Sequence, residues 1–146
     1  MANDATSSIA QLNSFLRSEL SAVETYQDVL ERATGASARA TLEDCSSSHE
    51  SRAQRLREAI TLLGGTPATS SGALGTLARL FGRSALALGG RTGVAALARG
   101  EDRVLREYRD NLGRLDPKGK NLVEELLLPS QEHTTRVIHD LSWTLS

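Results

Sequence analysis

Apolar residues recur every three or four positions along four stretches of this chain, the spacing of one buried face on an α-helix. The first stretch, residues 8–32, carries Leu12, Leu16, Val23 and Leu30, with Glu19 and Tyr26 on the same stripe. Gly35 supplies a stop, and Ser37 is the expected N-cap of the next helix. That helix, residues 38–63, carries Leu42, Cys45, Ala53, Leu56, Ile60 and Leu63, with His49 on the stripe and Arg52 beside it; Gly64-Gly65-Thr66-Pro67 ends it. The third, residues 93–112, carries Val94, Leu97, Leu105 and Leu112, with Glu101 and Tyr108 on the stripe. The fourth, residues 120–144, carries Leu122, Leu126, Val137 and Leu141, with Pro129 and His133 among them. Pro129 lacks a backbone donor and is expected to kink or break this helix one turn before His133.

Two short turns make two helical hairpins, and residues 64–92 form the one long connection. A crossover running the length of a bundle explains such a link, and residues 73–81 within it read as a short amphipathic helix. The expected fold is all-α: one domain over 1–146, an antiparallel four-helix bundle with a long crossover between its second and third helices.

The polar residues on these stripes repeat. Glu19-x6-Tyr26 is followed by His49-x-x-Arg52, and Glu101-x6-Tyr108 by His133-x-x-Arg136. Glu19 and His49 lie roughly 24 and 21 Å from their shared turn; Glu101 and His133 lie about 22 and 26 Å from theirs, at ~1.5 Å per residue. Each pair is thus expected at one level, and a two-fold arrangement of the hairpins brings all four together mid-bundle.

Composition narrows the remaining choices. A formal charge of −1 gives no bulk field toward nucleic acid or an anionic membrane. Aromatics are only 3%, so Leu, Ala, Val and Ile must build the core. Cys45 stands alone, which fits a reducing compartment, and the N-terminal residues show no basic segment followed by an apolar run, so the expected location is the cytoplasm.

The stretch Leu12-Asn13-x-x-Leu16-x-x-Glu19-Leu20-x-Ala22-x-x-x-Tyr26 resembles the first helix of the ferritin-like superfamily. More narrowly, Gly64-Gly65-Thr66-Pro67 and Gly100-Glu101-Asp102-x-x-Leu105-x-x-Tyr108 are similar to the DUF2383 group of small bacterial ferritin-like proteins. In the metal-binding members of the superfamily, the first and third helices each give a Glu and the second and fourth each give Glu-x-x-His. Glu19 and Glu101 match the first pair. The second pair fails in either register: with His49 and His133 at the His positions, Ser46 and Ser130 replace the carboxylates; at the Glu positions, Arg52 and Arg136 replace the histidines. The resemblance therefore implies a degenerate di-metal site in a small, non-enzymatic cytoplasmic bundle, stress-linked by family.

Two other readings stay open. Glu19, His49, Glu101 and His133 could hold one Fe, Mn or Zn ion in a metal-binding protein or oxidase. The plainer alternative is an internal polar network with Arg52, Arg136, Tyr26, Tyr108, Ser46 and Ser130, holding helix register without any cofactor; the guanidinium groups favour it because they already supply positive charge. The third reading is an oligomeric or membrane-interface scaffold working through residues 73–88, in which a homodimer is the partner. Packing of that segment on the bundle is the expectation, with neither nucleic acid nor membrane as partner.

Overall fold

A computed structural model of the chain describes residues 4–72 and 90–145. Helix α1 spans Ala5–Arg32 and starts at Asp4, whose carboxylate accepts a hydrogen bond from the Ser7 amide at 2.7 Å. Helix α2 spans Ala36–Leu62. Its N-cap is Gly35 at φ +93°, a conformation glycine alone adopts freely, so the chain reverses there and the expected cap, Ser37, lies inside the helix. The Arg39 guanidinium ties this turn back by donating to the Leu30 carbonyl at 2.6 Å. Helix α3 spans Gly90–Asp110, followed by a 3₁₀ turn at Leu112–Arg114.

The fourth helical stretch is composite: α4 (Pro117–Leu122), a π-turn (Val123–Leu127) and α5 (Leu128–Leu145) run on without a gap. Asp116 caps α4 by accepting from the Gly119 amide at 3.2 Å, and Pro117 sits in the first turn, where no donor is needed. Asp116 also accepts from the Ser8 hydroxyl at 2.6 Å, joining the start of α1 to this turn. Pro129 neither breaks nor ends the helix: the chain stays helical through it, and the wider π-turn just before it takes up the irregularity.

The π-turn also corrects the register of the fourth helix. The buried positions are Val123, Leu127, Gln131, Thr134, Thr135 and Ile138, while Leu126, His133 and Arg136 are exposed. Residues 122–128 offer two overlapping apolar stripes, and the extra residue in the π-turn puts a count made at α-helical spacing from Leu122 out of phase by His133.

Each hairpin packs closely within itself, α1 on α2 and α3 on α5; the hairpins meet more thinly through α1–α3 and α2–α5. The described part of the link climbs along α1. Asn13 donates to the Thr66 carbonyl at 3.1 Å and accepts from the Ala68 amide at 2.7 Å, and Ser71 donates to Glu24 at 3.0 Å. Gly65 permits this start, because a Cβ there would come within 2.7 Å of Ile9. The expected short helix at 73–81, and the surface at 73–88, lie outside the described residues. Among the described residues no helix is long and apolar enough to cross a membrane.

Two apolar clusters fill the interior. One contains Leu12, Leu16, Leu56, Ile60 and Leu127; the other contains Val29, Leu42, Val94, Leu97 and Ile138. Along every helix the fully buried residues between these two clusters are polar.

Candidate functional site

Those polar residues form one connected layer. Glu19 on α1, His49 and Arg52 on α2, and Glu101 on α3 are each at most 2% exposed. Burying four ionisable groups this deeply is unfavourable unless each is paired and hydrogen-bonded. Here they are. His49 Nδ1 lies 2.6 Å from Glu19 Oε2, and its Nε2 lies 2.7 Å from Glu101 Oε1. Arg52 Nε donates to Glu19 Oε1 at 3.0 Å, and its Nη1 donates to the hydroxyls of Ser130 at 2.7 Å and Thr134 at 3.2 Å.

The two tyrosines cross between hairpins. Tyr26 on α1 donates to Glu101 Oε1, and Tyr108 on α3 donates to Glu19 Oε1, each at 2.5 Å. Gln131 on α5 completes the layer, its Nε2 donating to Glu101 Oε2 at 2.5 Å and to the Thr135 hydroxyl at 3.1 Å.

The charge states follow from these contacts. Burial favours a neutral His49, but Glu101 and Glu19, through charge and hydrogen bonds, outweigh it and raise its pKa to about 9. Two short contacts to carboxylates from opposite sides of the ring require both nitrogens to carry protons. Arg52 Nη2 also comes within 3.0 Å of His49 Nδ1. In the doubly protonated ring that is a contact between two donors, unfavourable in itself and offset by Glu19, which accepts from both side chains. Burial raises the pKa of Glu19, yet His49 and Arg52, with hydrogen bonds from His49 and Tyr108, bring it below the ordinary carboxylate value. Glu101 is likewise lowered against its burial, chiefly by His49 and then by hydrogen bonds from Tyr26 and Gln131. The layer thus holds two anions and two cations and is neutral as a whole.

Most carboxylate oxygens and both imidazole nitrogens are committed to protons already within the cluster. A metal would need free lone pairs on the carboxylates and an unprotonated nitrogen on the imidazole. Among the described residues no group of three or more His, Cys, Asp or Glu is placed to hold a metal ion.

Of the residues singled out by the repeat, Glu19, His49, Glu101, Arg52, Tyr26, Tyr108 and Ser130 come together in this layer. Ser46 is buried one turn before His49. His133 and Arg136 do not join: both are exposed, and His133 instead borders a shallow surface cleft with Asp44 and Ser48. The residues that fill their places are Gln131 and Thr134. A signal for them exists in the chain, because Glu101 and Gln131 are 30 residues apart, as are Glu19 and His49. Cys45 sits above the layer, and burial, then Glu101, raises its thiol pKa to about 11, so it is an unreactive thiol at neutral pH.

Comparison with known families gives one finding: the model of DUF2383, a domain of unknown function, matches residues 7–114. No curated protein and no solved structure gives a significant match to the chain.

Proposed function

This chain belongs to the DUF2383 family, and we propose that it is a small, non-enzymatic helical bundle on a ferritin-like plan, in which an ion-paired layer stands where metal-binding bundles carry their ions. Arg52 is the observation that supports this most. Its guanidinium is 2% exposed and bonded to Glu19, so it brings into the core the positive charge that a metal would otherwise supply. With His49 protonated, no net negative charge is left to attract a divalent ion.

The layer then serves to fix register. It links α1 to α2 through Glu19–His49, α2 to α3 through His49–Glu101, and α2 to α5 through Arg52–Ser130. The protein's activity, on this reading, lies in what it binds and not in redox chemistry at its centre.

Elemental analysis of untagged protein purified without chelator, beside a Glu19→Ala/Glu101→Ala double variant, tests this. The expected result is metal far below one equivalent, and a parent melting temperature that Fe(II), Mn(II) and Zn(II) do not raise, since a ligand of the native state must raise it. Near-stoichiometric metal that disappears in the double variant would establish a metalloprotein instead.

A further inference from the structure

Between α1 and α3, along one of the two thinner seams between the hairpins, lies a cavity of about 350 Å³. Its floor is the polar layer, reached at Tyr26, His49 and Glu101, and its walls include Ala22, Leu97 and Val104. The opening is left by small residues on facing turns, and Gly100 shows this directly: a Cβ built there would meet nothing within 4 Å. This volume falls within the range of small-molecule sites, roughly 300–1,000 Å³.

The polar groups in the cavity are unequal in a way that defines its occupant. The carboxylates of the floor are satisfied, Glu101 accepting from Tyr26, His49 and Gln131, while Gln131 Oε1, buried in the same layer, has no hydrogen-bond partner. On the walls, two groups able to donate make no hydrogen bond. Ser21 is 4% exposed, and among the described residues its hydroxyl makes no hydrogen bond. Arg103 has a buried Nε with no hydrogen-bond partner, although its partly exposed side chain pairs with Glu107 Oε1 at 3.7 Å. Arg99, one turn away on α3, is exposed at the rim. Glu107 divides its carboxylate, Oε2 accepting from the Ser18 hydroxyl at 2.6 Å and Oε1 facing Arg103 beyond hydrogen-bond distance at 3.7 Å. Unsatisfied buried donors are unfavourable and are met most strongly by an anionic acceptor.

We propose that this cleft is a binding site for a small organic anion, its acidic head held by Ser21, Arg99 and Arg103 and its apolar tail lying against Ala22, Leu97 and Val104. The inference goes beyond the proposed role of the ion-paired layer. It concerns donors outside the layer, and it stands whichever way the metal analysis falls.

Octanoate is a suitable probe, with octylamine as the cation of matching tail. In two-dimensional NMR of the full chain, octanoate is expected to move the amides of residues 18–26 and 96–104, and octylamine is not. Arg99→Glu is expected to weaken octanoate binding about tenfold or more, the effect of losing one charge-assisted contact. Gly100→Leu, which fills the cleft and adds helix propensity, is expected to abolish binding without lowering the melting temperature. If those amides stay still, if Gly100→Leu binds as the parent does, or if octylamine binds as tightly as octanoate, the proposal is overturned. Arg99→Glu changes an exposed side chain only, so the test holds even if Gly100→Leu folds poorly.

Discussion

The two hairpins place homologous side chains at the same level yet divide the labour unequally. In the first, Glu19 is followed after 30 positions by His49 and then Arg52. In the second, Glu101 is followed after 30 positions by Gln131 and then Thr134. The tyrosines are shared evenly, each reaching the other hairpin's carboxylate. The cations are not: both lie on α2, and α5 offers only neutral partners. The lesson is one of charge balance. Two buried carboxylates need two positive charges, and a single helix can supply both when its imidazole bridges the two acids.

Breaking the charged half should therefore cost far more than breaking the neutral one. Arg52→Met leaves Glu19 buried with half its compensation, and its urea unfolding free energy is expected to fall by about 3–5 kcal/mol. The counterpart Thr134→Val removes one neutral partner of Arg52 and is expected to cost about 1 kcal/mol. Equal losses at the two positions would mean that the halves are equivalent after all.

The next effect is pH dependence. Folding raises the His49 pKa from 6.5 to about 9, so its contribution is complete below pH 6.5 and is lost as pH rises through 9. Over that window the parent is expected to lose on the order of 3 kcal/mol, and His49→Gln, which makes the two halves alike, is expected to lose little of its smaller stability. Glu19 and Glu101 act in the opposite direction: their pKa values are lowered, so their contribution is present above about 4.5 and fades as pH falls below it. Denaturant midpoints at several pH values would show both limbs.

The shared element gives a smaller, symmetric effect. Tyr26→Phe and Tyr108→Phe each remove a hydroxyl donated to a buried carboxylate, and each is expected to cost about 1.5–3 kcal/mol in thermal or urea unfolding. Smallest of all are His133→Ala and Arg136→Ala, whose side chains are exposed; both are expected to leave stability within about 0.5 kcal/mol.

Much of this plan was legible in the sequence. The stripes of the first three helices brought Leu12, Glu19, Tyr26, His49, Glu101 and Tyr108 inward, and counting residues from the first turn set Glu19 opposite His49, where the structure has them 2.6 Å apart. The fourth helix was not legible for two physical reasons. Residues 122–128 are apolar on overlapping faces, so periodicity does not choose between stripes, and a π-turn shifts the phase by a residue without any marker stronger than Pro129. His133-x-x-Arg136 then resembled His49-x-x-Arg52 closely enough to settle the register in favour of two exposed residues, although the 30-residue spacing points to Gln131. The cleft above the layer had no sequence signal, because it arises from what small residues such as Ala22 and Gly100 leave empty.

The central claim is that His49 is a cation at neutral pH, bridging Glu19 and Glu101. Nitrogen NMR of the histidine rings, with His133→Gln and His139→Gln variants to isolate His49, tests it most directly. The account requires both His49 nitrogens to be protonated at pH 7, with the titration midpoint near 9. A ring that is neutral at pH 7, with one unprotonated nitrogen free to bind a metal, would contradict it.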